Sequence, residues 1–285
     1  MTDALIINRD CLSNFHTHTT YCDGADSPQA LAETAYSSGF SALGFSGHAW
    51  SYPDRTYAMD EENLAGYIYD VNLLKAEYRG KMEVYLGIER DYYSPHGAEV
   101  YDYIIGSVHN VERNGEFYSV DNSPELFAEA ISAFGGAERF VRAYYETEAG
   151  VLERTEGQIV GHFDLVTKFN GRVGFFDEDD SIYRSIAIES ARRICESYER
   201  SKAWKRLPEG LPDIMRQAIM LTHKPIFELN TGAIARGWRD LCYPASFIIR
   251  ELKAMGAPMI LSSDCHDRMR LTQSFKDAIE NAASA

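Results

Sequence analysis

Positive charge is scarce in this chain. Its 285 residues carry 28 Lys and Arg against 43 Asp and Glu, a formal net charge of −15 at pH 7. No basic run and no RNA-type aromatic signature appears. This argues against nucleic acid as a main partner, because a phosphate backbone is gripped by clustered Lys and Arg. An acidic protein still binds a small anion where bound cations reverse the local field. Cysteine is sparse too: Cys11, Cys22, Cys195, Cys242 and Cys265 are odd in number and have no C-x-x-C spacing. Neither a disulfide framework nor a thiolate zinc site is indicated, and a reducing compartment is expected. Met1 to Asp10 lacks the apolar stretch of a signal peptide, and no run approaches a membrane span. The expectation is therefore a cytoplasmic protein without a membrane partner. The phosphate-cradling G-x-x-x-x-G-K, the G-x-S-x-G elbow and the dinucleotide G-x-G-x-x-G are all missing, which leaves nucleotide cradles and serine nucleophiles without support.

What is present is alternation. Apolar strand patterns alternate with helical ones, without a strong linker, internal repeat or low-complexity segment. Ser27-Pro28 opens a helix that stops at Gly39, with a capping hydroxyl, Pro at the first helical position and Gly past the end. Further helices are expected over about 61–77, 124–134, 137–154, 179–201, 212–221 and 244–255, with one more closing the chain. A loop is expected through Ser94-Pro95-His96-Gly97. The composition, 45% hydrophobic and 25% charged, is that of an ordinary globular protein. Alternation of this kind predicts an α/β fold with a parallel sheet, and seven strands predict a closed or slightly distorted barrel. The longest connection, between His109 and His162, holds two helical patterns and is read as a helical insertion at about 110–157 over the barrel mouth.

The strand ends carry the chemistry. The apolar runs finish at His16-Thr17-His18, Ser46-Gly47-His48, Gly87-Ile88-Glu89, Ser107-Val108-His109, Val160-Gly161-His162, Glu228-Leu229-Asn230 and Asp264-Cys265-His266. In a parallel barrel these C-terminal strand ends meet on one rim, where active sites sit. Residues i and i+2 of a strand face the same side, so His16 and His18 are placed to grip one cation, and Asp264 with His266 repeats that geometry. Glu89 is a candidate bridging carboxylate. His48, His109 and His162 read singly as buried or capping histidines, but their joint placement at three strand ends argues for a metal site. Imidazole and carboxylate donors without thiolate suit Zn²⁺, Mn²⁺ or Fe²⁺, and so many donors imply two or three ions. Cys22 and Cys265 are read as packing residues. Lys168, Arg236 and Arg239 follow strands five and six and read either as phosphate partners or as surface charges, while Asn230 orients phosphate or substrate, or caps its strand.

This order of residues resembles the PHP (polymerase and histidinol phosphatase) family of metal-dependent phosphoesterases, and in detail its histidinol-phosphatase branch. The matching stretches are His16-Thr17-His18 with Asp23-Gly24, Ser46-Gly47-His48, Gly87-Ile88-Glu89, Gly106-Ser107-Val108-His109, Gly161-His162-Phe163-Asp164-Leu165, Glu228-Leu229-Asn230-Thr231 and Asp264-Cys265-His266. The resemblance implies one distorted (β/α)7 barrel domain over residues 1–285 with a trinuclear metal centre at the C-terminal ends of its strands. Carried over residue by residue, His16, His18, Glu89 and Asp264 hold a first metal, Glu89, His109 and His162 a second, and Asp23, His48 and His266 a third. Asp23 stands where many relatives carry His, and Ser46-Gly47 where many have Thr-Asp. Lys168 falls near an Arg that some phosphatases of this branch use. The implied reaction is hydrolysis of a small phosphate monoester, histidinol phosphate to L-histidinol and phosphate, a step of histidine biosynthesis. Asp23 or His48 would supply the leaving group's proton, and Lys168, Asn230 and Arg236 would bind substrate. The rival readings are a nucleotide phosphatase or exonuclease of the same family, an amidohydrolase, and a non-catalytic metal-binding relative. Oligomeric state is not legible from the sequence.

Overall fold

A computed structural model describes residues 6–95 and 100–285. The expected loop positions His96 and Gly97, and the first five residues, lie outside the described residues. The chain runs β1 (Ser13–Asn14), α1 (Pro28–Ser37), β2 (Ala42–Phe45), α2 (Glu61–Glu77), β3 (Glu83–Asp91) and β4 (Tyr103–Ser107). A hairpin follows, β5 (Asn110–Arg113) and β6 (Glu116–Ser119), and then α3 (Pro124–Phe134), α4 (Ala137–Glu148) and α5 (Val151–Thr155). After β7 (Ile159–Val160) come α6 (Asn170–Val173), α7 (Ser181–Ser197), α8 (Lys202–Lys205) and α9 (Asp213–Thr222). The remainder is β8 (Ile226–Asn230), α10 (Gly232–Ala235), α11 (Ser246–Met255), β9 (Met259–Ser262) and α12 (Phe275–Ser284).

The larger sheet has the order β1-β2-β3-β4-β7-β8-β9, and every pairing in it is parallel. Its two edges meet. Ile7 N–H donates to the Met259 carbonyl (2.9 Å), His18 N–H to Cys265 (2.9 Å), and Cys265 N–H to His16 (3.3 Å). Where the short β1 leaves backbone groups unpaired, side chains take over. Asn8 accepts from Leu261 N–H at 2.8 Å and donates to the Leu261 carbonyl at 3.0 Å. The result is the expected distorted seven-stranded α/β barrel, its distortion concentrated at the two-residue strands β1 and β7.

The helix boundaries follow the expected punctuation. Ser27 accepts from Ala30 N–H ahead of Pro28, Asp60 caps α2 through Asn63 N–H, and Ser123 caps α3 through Leu126 N–H. Two expectations are corrected. The helix expected over 137–154 breaks into α4 and α5 at Ala149-Gly150, where glycine weakens helix propagation. The insertion is also not wholly helical. It begins with the β5–β6 hairpin around Asn114-Gly115, whose φ angles of 55° and 86° are those of a tight hairpin turn.

Tyr103 fills the barrel beneath the rim. Its side chain is fully buried, and its hydroxyl faces the Phe15 carbonyl at 2.5 Å and the Phe45 carbonyl at 3.1 Å. Gly44 and Gly87 make this possible, since a Cβ on either would lie within 2.4 Å of the phenol. Phe15 crosses the Tyr103 ring edge to face at 5.8 Å, so the residue preceding His16 is packed and pinned at once.

A second buried polar pair braces the strand end at His162. Tyr144 Oη lies 2.8 Å from Glu148 Oε1 and 2.9 Å from the Phe163 carbonyl. The phenol has one proton and the carbonyl only accepts, so Glu148 is the protonated partner and donates to the phenol oxygen. Burial, outweighing the Tyr144 contact, pushes its carboxyl well above the ordinary range. A raised carboxyl stabilises the fold fully below its unfolded pKa, and that stability is lost as pH rises towards the folded value. Glu148→Gln keeps the donor without titrating. Thermal unfolding of the variant should therefore match the parent near pH 4.5 and exceed it at pH 8, by about 2–4 °C for each kcal/mol of relieved strain. An equal difference at both pH values would refute the protonated form.

Candidate metal centre

Glu89, at the end of β3, is the hub of the rim. It is 1% exposed, and its two oxygens face different histidines. Oε1 lies 2.9 Å from His162 Nε2 and 3.4 Å from His109 Nε2. Oε2 lies 2.9 Å from His48 Nδ1, 3.2 Å from His16 Nε2 and 3.6 Å from His18 Nε2. Asp264 closes the far side, with Oδ1 at 3.2 Å from His18 Nε2 and 3.7 Å from His16 Nε2. Asp264 adopts φ = 49°, a left-handed conformation that an Asp tolerates and that functional sites often retain. The pairing of His16 with His18 survives although β1 itself is short, because Thr17 bridges to Cys265 and prolongs the extended run.

Two carboxylates behind the rings set their orientation. His16 Nδ1–H donates to Glu228 Oε1 at 2.7 Å, and His109 Nδ1–H donates to Asp91 Oδ2 at 3.2 Å. In both rings this leaves Nε2 as the nitrogen turned towards Glu89. Glu228 Oε2 also accepts from His162 N–H and from Asn230 Nδ2, each at 2.9 Å. Asp91 accepts in addition from the Ser51 hydroxyl and from Tyr93 N–H. The charges follow from these contacts. Burial alone would lower the His16 imidazole, but Glu228, Glu89 and Asp264 outweigh it and raise it well above its ordinary value. His109 is raised in the same way, against burial, chiefly by Glu89 and Asp91. His18 goes the other way, lowered to about 3 by burial and then by His266 and His48. Glu89 is held well below the carboxylate range, against burial, by His48, His16 and His109.

Asp23, His48 and His266 form the outer part of the site. His266 Nε2–H donates to Asp23 Oδ2 at 3.1 Å, and His48 Nε2 lies 3.7 Å from Asp23 Oδ1. Gly24 sits so close to the His18 backbone that a Cβ there would meet it at 2.5 Å, which explains why Asp23 is followed by glycine. Asp23 is held below its ordinary range, against burial, by His266, His48 and His18. Arg236 Nη1 pairs with Asp264 Oδ2 at 3.3 Å, and its Nη2 donates to His266 Nδ1 at 2.9 Å.

Asp23, His48, Glu89, His109, His162, Asp264 and His266 floor a cavity of about 200 Å³ whose other walls include Asp54, Tyr57, Asn110, Ser119, Asp121, Lys168 and Arg236, while His16 and His18 are fully buried. Lys168 reaches across it to the Asp121 carboxylate (3.0 Å) and carbonyl (2.7 Å). The residues singled out in the sequence thus converge, with two exceptions. Asn230 is fully buried behind the rim, bonded to Glu228 and to Gly232 N–H, and does not reach the cavity. Arg239 is held by Glu178 (2.9 Å) and the Thr167 carbonyl (2.8 Å), away from its walls. The cysteines pack as expected: burial pushes the Cys22 thiol up to about 11 and that of Cys265 to about 12. Sequence reasoning missed the roles of Glu228 and Asp91 and the place of Tyr57 in the cavity wall.

Divalent cations fit this donor set. His16 Nε2, His18 Nε2 and Glu89 Oε2 are buried and have no hydrogen-bond partner, an arrangement costly for the fold unless a ligand completes it. Ligand atoms of His16, His18 and Asp264 lie within 4.8 Å of one another, as do those of His48, Glu89 and His109, and those of His18, Asp23, His48 and His266. Nitrogen and oxygen donors in mixed clusters of this kind suit a first-row divalent ion.

Comparison with known proteins agrees with this geometry. The PHP domain family matches residues 14–201. A Deinococcus radiodurans protein named "probable histidinol-phosphatase" is 28% identical over 287 residues, covering 94% of this chain and 92% of its own length. The histidinol-phosphatase of Bacillus subtilis is 25% identical over 280 residues, covering 88% of this chain and 92% of its own. Among solved structures, the Lactococcus lactis histidinol phosphate phosphatase in complex with zinc, L-histidinol and phosphate superposes with a TM-score of 0.64. It is 18% identical and covers 96% of this chain and 91% of its own, a likeness of fold.

Proposed function

The chain belongs to the PHP domain family, and from that premise we propose that it hydrolyses phosphate monoesters, with L-histidinol phosphate as the substrate and L-histidinol and phosphate as products. One observation carries the reading: donors from strand ends spread along the whole chain converge on Glu89 beneath a cavity that also holds Lys168 and Arg236. The curated relatives named as histidinol-phosphatases span nearly the full length of the chain and supply the substrate.

His16, His18 and Asp264 with Glu89 Oε2 would hold one ion, and His109 and His162 with Glu89 Oε1 a second. Asp23, His48 and His266 would surround a third. Bound there, divalent zinc, manganese or iron lowers the pKa of water and withdraws charge from phosphoryl oxygens. The protein's own groups do the rest. Glu228 and Asp91 fix the tautomers of His16 and His109, so that the inward nitrogens stay free to ligate. Lys168 and Arg236 bring cationic donors to the phosphate, each leaving an internal carboxylate partner to do so. Asp23 is held below its ordinary range, against burial, by His266, His48 and His18, and it takes the His266 contact as an acceptor. The proton needed by the departing alkoxide falls to an imidazole: where no ion takes the third place, His48, with Nε2 turned towards Asp23, would supply it.

The decisive assay measures phosphate release by purified, metal-loaded protein from histidinol phosphate and a panel of other phosphomonoesters and nucleotides. Chelation should abolish release, and added Zn²⁺, Mn²⁺ or Fe²⁺ should restore it. Fast turnover of another ester beside poor turnover of histidinol phosphate would reject the substrate, and metal binding with no turnover of any ester would favour a binding protein.

A further inference from the structure

We propose that Tyr57 binds substrate, its hydroxyl donating a hydrogen bond to a phosphoryl oxygen; this rests on the phosphomonoesterase reading. Tyr57 lies in the loop between β2 and α2, and it lines the cavity with Lys168 and Arg236. Its ring meets His48 edge to face at 4.7 Å and lies tilted against His109 at 5.9 Å. The loop is anchored on both sides of it. The Ser51 hydroxyl donates to Asp91 Oδ1 at 3.0 Å, on the carboxylate that orients His109. Met59 N–H donates to the His48 carbonyl at 3.1 Å, and Asp54 accepts from Thr56 N–H at 2.8 Å. Tyr52 packs on Phe117 of the hairpin at 5.8 Å. The ring is therefore held by construction.

Its hydroxyl is nevertheless buried without a hydrogen-bond partner. A buried polar group in that state is destabilising, and a native protein retains it where something else completes the bond. The walls narrow what that is. Asp23, Asp54, Glu89, Asp121 and Asp264 all face the cavity and repel an anion. Lys168 is engaged by Asp121, and Arg236 by Asp264. Tyr57 offers a neutral O–H that no neighbour has taken, one ring away from His48 and His109. A phosphoryl oxygen seated above those ligands is the acceptor that chemistry supplies.

The test compares Tyr57→Phe with the parent as metal-loaded proteins. It measures kcat/KM on histidinol phosphate and one unrelated monoester, inhibition by inorganic phosphate, bound metal and thermal stability. Loss of one hydrogen bond to a charged acceptor should lower kcat/KM about tenfold to a hundredfold on both esters. Phosphate inhibition should weaken by a similar factor, with metal content unchanged. Phosphate inhibition within twofold of the parent would overturn the proposal, and with a lowered kcat it would move the hydroxyl to the leaving oxygen. Lost metal or lowered stability would also overturn it, in favour of a packing role. Should the parent hydrolyse no ester, the phosphatase reading falls by itself. Calorimetric binding of inorganic phosphate then decides Tyr57: weaker binding by the variant supports it, whereas equal binding, or none by the parent, overturns it.

Discussion

Glu89→Gln is expected to lower phosphate release by about a hundredfold to a thousandfold, the scale on which removal of a single preorganised charge-stabilising group acts. Bound metal should fall with it. The amide preserves the shape of the carboxylate but not its valence. Glu89 presents an acceptor oxygen to His109 and His162 on one side and to His16, His18 and His48 on the other. Glutamine keeps one acceptor and turns an NH₂ towards the other set, so one ion loses a ligand whichever way the amide rotates. Elemental analysis beside the phosphate assay checks this, and unchanged release with unchanged metal would remove Glu89 from the mechanism.

The metal-free protein gives an independent reading of the same substitution. His16 and His109 are raised, against burial, in part by Glu89. A raised imidazole contributes stability that is present below its unfolded pKa of about 6.5 and lost as pH rises through the folded value. Removing Glu89 leaves those buried cations short of an anion, and breaking a buried pair in this way costs about 3–5 kcal/mol. The loss of thermal stability in the apo variant should therefore be larger at pH 6 than at pH 9. An equal loss at the two pH values would mean that the rings are neutral without metal.

Much of this arrangement was legible because a parallel barrel converts sequence position into spatial position. A strand end is a rim position, so His16, His48, Glu89, His109, His162 and Asp264 could be gathered from apolar runs alone. The tautomer-setting residues carry no such mark. Glu228 was visible at a strand end, yet whether a strand carboxylate faces a histidine, the core or solvent depends on the neighbouring strand's register, which only the fold supplies. Asp91 lies two residues beyond Glu89, where β3 runs on past the end expected for it. Tyr57 sits in a polar loop with no periodicity. The β5–β6 hairpin was hidden for a different reason. Its four-residue strands, Asn110–Arg113 and Glu116–Ser119, are only partly buried, and their apolar content is too low to alternate clearly, so the Asn114-Gly115 turn stood without visible flanks. Of the two readings of Asn230, the strand-end cap holds, its Oδ1 accepting from Gly232 N–H, and the substrate contact does not. A polar residue at a strand end suggested the cavity, whereas its amide completes Glu228.

Glu228→Gln is expected to weaken metal binding by about 10- to 100-fold, the usual consequence of losing a partner behind a metal-ligating histidine. Glu228 makes no use of its charge at the cavity, so any effect must travel through what it holds. Its Oε1 accepts from His16 Nδ1–H, and its Oε2 from His162 N–H and Asn230 Nδ2. With the amide oxygen towards His16, the new NH₂ confronts two further donors. With the oxygen towards His162, the NH₂ faces His16 Nδ1, which then becomes the acceptor and moves the ring proton to Nε2, the nitrogen turned towards Glu89. Either way the inward lone pair of His16 is misplaced or its strand end is loosened, and the burial of this residue leaves no water to repair it. The signature is specific. Turnover should recover towards the parent value as free Zn²⁺ or Mn²⁺ is raised, because His16 is still present and only its preorganisation is lost. The Glu89 variant should not recover in the same titration. A Glu228→Gln protein that binds metal as tightly as the parent would show that His16 needs no carboxylate behind it.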